Sequence, residues 1–283
     1  MRALLLYNSR AGRGRIVGHI DDIVELFKSH DIELKPKELQ FDNDPFDGES
    51  DIDLVVVSGG DGTVNFVVNK MRQRGINPQL GIIPSGTAND FAGAIGMPRM
   101  IMRAAKCIAQ GTEHKVDCGE VDGTWFVNVL SFGVLTTTSQ QTNDREKQLV
   151  GRLAYIRTGA HDLMTMHPIP LKVKCDGNEM EIDAVMCLVF NGMTAGSIPL
   201  ARDAKLDDGM LDVLILEYNN PVTTCFNMFR HLIKGHPGAV HHLRCRDIEI
   251  NSTLDERTDM DGQPGPKFPM HIHCAEGSLR LRY

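Results

Sequence analysis

A carboxylate set among glycines is the first place where this chain implies chemistry. The run Gly59-Gly60-Asp61-Gly62-Thr63 holds three residues that accept unusual backbone angles and let a ligand approach the main chain. Amide N–H groups at the start of a helix favour an anion, above all a phosphate. An acid inside an anion site is costly unless a metal or a proton transfer requires it, which singles out Asp61. The plain alternative is an acid that caps the following helix. Two more turns repeat the pattern. Asn8-Ser9-Arg10-Ala11-Gly12-Arg13-Gly14-Arg15 joins glycine to arginine, and Pro84-Ser85-Gly86-Thr87-Ala88-Asn89-Asp90 joins glycine to hydroxyl, amide and acid. Solvated arginines explain the first turn equally well when it is taken alone, and N-capping would suit Asn89 and Asp90.

Each turn needs a strand before it and a helix after it, and the apolar pattern supplies both. Ala3 to Tyr7, Leu54 to Val57 and Leu80 to Ile83 are short apolar runs of the kind buried on both faces of a parallel sheet. Ile16, Ile20, Ile23, Val24 and Phe27 mark one helix face, and Val64, Val67, Val68 and Met71 mark another. Phe91, Ala92 and Ile95 begin a short helix. A further helix runs from about Arg99 to Ala109. Ile32 to Phe41 reads weakly as a strand. Three strand–turn–helix units in one array would open their turns on one sheet edge, where ligands collect. A nucleotide-phosphate cleft is the leading explanation.

Beyond about residue 114 the pattern becomes strand-rich. Asp122-Gly123 separates Lys115–Val121 from Trp125–Ser131, and Asp176-Gly177 separates Leu171–Lys174 from Met180–Phe190, both hairpin signals. Leu211–Leu216, Val240–Ile250, Phe268–His273 and Leu279–Tyr283 read as strands. Helices are expected over Arg152–Met166 and Pro221–Lys234. The predicted architecture is an α/β nucleotide-binding domain over 1–117 and a β-rich, sandwich-like domain over 118–283.

The whole chain narrows the function classes. Its 283 residues suit two domains, and its net charge of −7 argues against a nucleic-acid binder working by general basicity. No apolar run approaches the ~18 residues of a membrane span, and Ala3–Tyr7 is too short for a signal-peptide core. Seven cysteines without a C-x-x-C pair suggest reduced thiols in a cytosolic setting, with Cys187 and Cys225 as core residues. His271 and His273 share a strand face but have no acid or cysteine spaced to complete a metal site. Met164 and Met166 near Tyr155 would pack in the core or line a lipid groove. No amphipathic helix with a basic face stands out.

The two motifs Gly59–Thr63 and Pro84–Ala92, taken together, resemble the diacylglycerol kinase catalytic domain, in particular the soluble bacterial lipid kinases, with sphingosine kinases more distant. The likeness continues at Tyr7–Gly12, Gly151–Tyr155, Asn191-Gly192, Leu206–Asp212 and Asp261–Pro264. It implies an N-terminal domain similar to NAD kinases and phosphofructokinases, and a C-terminal β-sandwich that carries much of the lipid side. It implies that Asn8, Ser9, Arg10, Gly12, Arg13, Gly59, Gly60, Gly62, Thr63, Gly86, Thr87 and Asn89 bind ATP. Asp61, with Mg²⁺ or as base, and Asp90 and Asp261 would form the catalytic set. Lys205, Asp208 and Met210 would form a structural Mg²⁺ loop, although Asp207-Asp208-Gly209 is also a plain turn sequence. The implied substrate is a lipid with a free hydroxyl, met at the cytoplasmic membrane surface. Many relatives dimerise.

The chain departs from the family pattern in four places. Ser9 stands for a common proline, and Gly93 for a common arginine. Ala195-Gly196-Ser197 alters a glycine pair. Gln263 replaces a glutamate that is a candidate general base, which leaves Asp61 or Asp261 for that task, or a poor kinase. Three functions follow: a lipid kinase, an NAD kinase sharing the Gly-Gly-Asp-Gly-Thr turn, and a nucleotide- or lipid-binding protein with an impaired site.

Overall fold

A computed structural model describes residues 1–134, 167–234 and 240–283. The expected helix over 152–166, the Gly151–Tyr155 segment and the Met164/Met166 pair lie outside the described residues. The chain divides into two units, the first comprising Met1–Cys118 with Glu276–Tyr283 and the second Gly119–Ala275.

Unit 1 begins with β1 (Arg2–Tyr7), two 3-10 turns at Ala11–Gly14 and Val17–His19, α1 (Ile20–Lys28) and β2 (Glu33–Glu38). It continues through β3 (Leu54–Gly59), α2 (Asp61–Gln73), β4 (Gln79–Pro84), α3 (Asp90–Ala94) and α4 (Ile101–Gln110), and β5 (Glu113–Val121) leads into unit 2. β1 pairs in parallel with β2 and β3, and β3 with β4. All six residues of β3 are buried, as expected for a central strand covered on both faces. Helix α1 starts later than the apolar spacing predicts. Positive φ at Gly12, Arg13 and Gly14 bends the chain through the 3-10 turns first, so the buried Ile16 precedes α1.

Unit 2 is antiparallel. Its strands are β6 (Thr124–Phe126), β7 (Val129–Gly133), β8 (Ile169–Cys175), β9 (Asn178–Phe190), β10 (Thr194–Ala195), β11 (Ile198–Pro199) and β12 (Leu211–Glu217). Helix α5 (Pro221–Lys234) follows, then β13 (Val240–Cys245), β14 (Asp247–Ser252), β15 (Thr258–Met260), β16 (Gln263–Pro264) and β17 (Met270–Arg282). The long strand β9 is shared: its first half pairs with β8, and its second half pairs with both β7 and β12. Strand β8 alternates buried and exposed residues along its whole length. Its buried side chains join Phe126, Phe132, Val189, Ile250 and Ile272 in one core. Both Asp-Gly pairs form tight hairpin turns, with positive φ at Asp122, Gly123, Asp176 and Gly177.

Four sequence expectations need correction. Val240–Ile250 is two strands, because the chain breaks at Arg246, where the Asp176 carboxylate accepts the N–H groups of Arg246 and Asp247. Phe268–His273 and Leu279–Tyr283 belong to one strand, β17. The polar Glu276-Gly277-Ser278 stretch stays within it as Gly277, at φ 56°, donates its N–H to Asp117 Oδ1 at 2.7 Å. The end of β17, which the division at 117/118 places in the second domain, packs in unit 1. Leu281 pairs with Leu80, and Arg280 grips Glu113 through Nε (3.0 Å) and Nη2 (2.6 Å). These Arg280 bonds, aided by Gln79, hold the Glu113 carboxyl down to about 2. Finally, Cys175 and Cys245 are joined as a disulfide, their Cα atoms 5.5 Å apart, within disulfide reach. Cysteine count and spacing carried no signal for it, since the antiparallel sheet brings together residues 70 apart in sequence. Cys187 is fully buried, as expected; the Cys225 side chain lies outside the described set.

Candidate active site

The three glycine-bearing turns meet at the carboxyl ends of β1, β3 and β4. Asn8 N–H donates to Ser58 O (3.0 Å), and the N–H groups of Ser85 and Gly86 donate to Gly59 O (2.9 and 3.3 Å). The Ser58 and Ser85 hydroxyls lie 3.2 Å apart in the interior. The turns approach so closely that side chains would not fit between them. A Cβ on Gly60 would lie 3.2 Å from Gly86 Cα, and one on Gly12, itself at φ 57°, would collide with Ser85 O. Gly59 is similarly closed by Thr63. Asn8 reaches Thr63 Oγ1 at 3.5 Å and accepts the Arg10 N–H.

Asn89 does not act as a side-chain cap for α3. It adopts a left-handed conformation (φ 54°, ψ 47°), and its amide closes on Gly86, accepting the Gly86 N–H and donating to Gly86 O, both at 2.8 Å. This clasp fixes the loop that carries Gly86 and the exposed Thr87. Arg10, Arg13 and Arg15 are exposed on the neighbouring turn, with Arg15 anchored to Gly12 O. Ser9 is bound to Glu38.

Asp61 occupies the first position of α2, where Gly60 supplies the cap. Its carboxylate does not simply serve its own helix. Oδ1 accepts the Phe91 N–H at 3.0 Å, so it holds the start of α3, thirty residues away. Packing around the carboxyl raises its pKa, opposed by the Phe91 N–H; the charge of Asp90 adds to the rise. Asp90 itself is buried. The sequence-predicted residues from Asn8 to Asn89, with Asp61 and Asp90, are thus brought together in unit 1.

Asp261 is used differently within unit 2. It is buried, and Oδ2 accepts the Val127 N–H (2.6 Å) while Oδ1 accepts those of Asn128 (3.0 Å) and Val129 (2.9 Å). These bonds turn the chain between β6 and β7, where the sequence suggests one continuous strand. Asp261 and Gly262 both have positive φ and form the hairpin tip that presents Gln263 to solvent. Sequence reasoning missed Asn128, a buried amide bonded to Thr194 O. The signal was an amide inside the apolar run Phe126–Leu130.

In the Lys205–Met210 loop, for which the resemblance implies a magnesium site, the Asp208 side chain holds the turn. Asp208 Oδ1 accepts the Met210 N–H at 3.2 Å, and Oδ2 pairs with the Arg244 guanidinium. Arg244 also approaches Asp212, a buried carboxylate bonded to His242 at 2.5 Å.

Comparison with known proteins identifies the family. Residues 2–121 match the family described as diacylglycerol kinase catalytic domain, and residues 128–283 match the YegS C-terminal NAD kinase beta sandwich-like domain. A diacylglycerol kinase of Staphylococcus aureus (strain bovine RF122 / ET3-1) is 32% identical over 96% of this chain and 89% of its own length. Another, from strain JH9, is 36% identical over 78% of this chain and 71% of its own. The crystal structure of a diacylglycerol kinase from Bacillus anthracis str. Sterne superposes with a TM-score of 0.81 at 28% identity, covering 100% of this chain and 96% of that one. With a diacylglycerol kinase 32% identical across 96% of it and the two family models matching in succession, the chain belongs to the diacylglycerol kinase family.

Proposed function

We propose that the protein transfers the terminal phosphoryl group of ATP to the hydroxyl of a diacylglycerol-like lipid, with Asp61 as the proton acceptor. The observation that carries this reading is the placement of Asp61, fixed by the Phe91 N–H beside Asp90 where three glycine turns meet, with a raised pKa. Phosphoryl transfer asks for positioned phosphates, balanced charge and an oriented nucleophile. The turns at Gly12, Gly59, Gly60, Gly62 and Gly86, packed against one another, would line the phosphates with main chain, with Asn8, Ser9, Thr63, Thr87 and Asn89 shaping the turns. Arg10 and Arg13 would supply cations. The lipid oxygen bonds to the γ-phosphorus as the bond to the β–γ bridging oxygen breaks, ADP leaves, and the hydroxyl proton passes to Asp61. A carboxyl with a raised pKa holds that proton better than an ordinary aspartate. Magnesium, when bound with the nucleotide, would neutralise phosphate charge, and Asp61 and Asp90 are the carboxylates that would hold it. Asp261 is assigned a structural part.

The test is incubation of the full chain with labelled ATP, Mg²⁺ and separate acceptors: diacylglycerol, a sphingoid base, phosphatidylglycerol, a polyprenol and NAD. Label on diacylglycerol is expected. Label on NAD alone selects the NAD kinase reading, and ATP binding without transfer selects an impaired homologue; either result overturns the proposal.

A further inference from the structure

We infer that α5 is a membrane-docking helix that seats an exposed Val222–Phe226 ridge in an anionic lipid surface. The inference rests on the lipid-kinase reading above for the class of partner, and on the helix itself for the place.

The helix is anchored to unit 2 by one face. Thr224 is fully buried and its hydroxyl accepts the Asn219 N–H, while Asn220 Oδ1 accepts the Thr223 N–H. Seven residues on, and so on the same face, His231 lies 3.3 Å from Leu200 O. The opposite face has the wrong polarity for water. Val222 is 79% exposed and Phe226 57% exposed, one helical turn apart. Among the described residues no other helix carries two exposed large apolar side chains. Arg230, one turn further, is exposed, with its guanidinium 5.8 Å from the Phe226 ring centre.

Charge selects the occupant. The chain carries a net charge of −7, which repels anionic lipid, yet no Asp or Glu occurs between Tyr218 and Arg246. On the helix itself that stretch carries Arg230 and Lys234 with no acid to offset them, whereas His241, His242 and Arg244 on β13 are already paired with Glu217, Asp212 and Asp208. Interfacial helices bind by inserting apolar side chains below the headgroups while cations stay at headgroup level. The aliphatic stem of an arginine can extend along the apolar surface as its head stays in water. An aliphatic residue, a ring and an arginine on successive turns fit that surface.

The test uses the full chain and vesicles of phosphatidylglycerol mixed with phosphatidylcholine, against phosphatidylcholine alone. The Val222→Ser/Phe226→Ser double variant should lose ~10-fold or more in vesicle partition, and Arg230→Glu should lose binding on the phosphatidylglycerol vesicles alone. Thermal midpoints should be unchanged, because these side chains are exposed. The double variant should keep wild-type turnover on a short-chain diacylglycerol dispersed in detergent and lose it on vesicle-borne substrate. Wild-type vesicle binding by the double variant overturns the docking inference, whatever the kinase assay gives. So does sedimentation showing that the wild type self-associates and the variant does not, since the face would then join two copies. Vesicle binding lost in the variant, with no acceptor phosphorylated by the wild type, supports docking while the kinase reading fails.

Discussion

Asp61 in unit 1 and Asp261 in unit 2 are both acids beside glycine in a tight turn, and their surroundings give them different work. Asp61 accepts main-chain hydrogen bonds from Phe91, Asp90 and its own residue, yet packing around the carboxyl, helped by the charge of Asp90, outweighs them and raises its pKa. Asp261 accepts three main-chain N–H groups with its two oxygens. Those bonds hold the chain between β6 and β7. If Asp61 takes the substrate proton, the same kind of side chain serves chemistry in one turn and chain geometry in the other.

The largest expected effect comes from removing the second of these. Asp261→Ala strips the acceptor from three buried N–H groups, each worth roughly 1–3 kcal/mol when left unmade. A loss of about 3 kcal/mol or more should appear as a lower urea midpoint followed by the fluorescence of Trp125, the chain's single tryptophan, on the adjoining strand β6. An unchanged midpoint would mean that Asp261 does not anchor the β6–β7 turn. Asp61→Ala should instead leave unit 2 alone and reduce phosphoryl transfer ~10²-fold or more, as expected for loss of a base or metal neighbour. Wild-type turnover in that variant would remove the chemical half of the comparison.

What the sequence could show of this contrast was local. Leu54–Val57 and the helical spacing after Thr63 are written in adjacent residues, so β3, the turn and α2 were legible, and so was an acid out of place at Asp61. The partners were not. Nothing near Asp61 says that it holds the first turn of α3, because that depends on how two parallel strands stack their turns. The targets of Asp261 lie more than 130 residues earlier in the chain. The Cys175–Cys245 pair and the return of β17 to unit 1 were hidden for the same reason. Glu276-Gly277-Ser278 reads as a loop until Asp117 is known to receive the Gly277 N–H.

A smaller effect sharpens the comparison through pH. Asp61 is raised in the folded state, so the wild type is favoured with the group protonated, and that advantage fades as pH rises through its folded pKa. Asp61→Asn cannot ionise and can still accept the Phe91 N–H. The variant should melt above the wild type at neutral pH. The gap should shrink as pH falls through the folded pKa and vanish below the ordinary aspartate value of 3.8. A gap that persists in acid would assign the gain to packing instead of charge. The same substitution at Asp261 should only destabilise, since an amide offers one acceptor oxygen for three donors and brings N–H groups of its own.

The smallest effect is expected at Gln263, where the family resemblance places a glutamate. Gln263 is exposed, beyond a turn whose shape is set by the positive φ of Asp261 and Gly262. If Asp61 takes the proton, a new carboxylate at position 263 adds nothing that turnover requires. Gln263→Glu should then change turnover by no more than a few-fold, and its pH–rate profile should keep the wild-type shape, since the titrating group is unchanged. A gain of ~10² with a new acidic limb would show that the wild type lacks its base. Asp61 would then be a metal neighbour, and the contrast with Asp261 would be one of metal holding against chain holding.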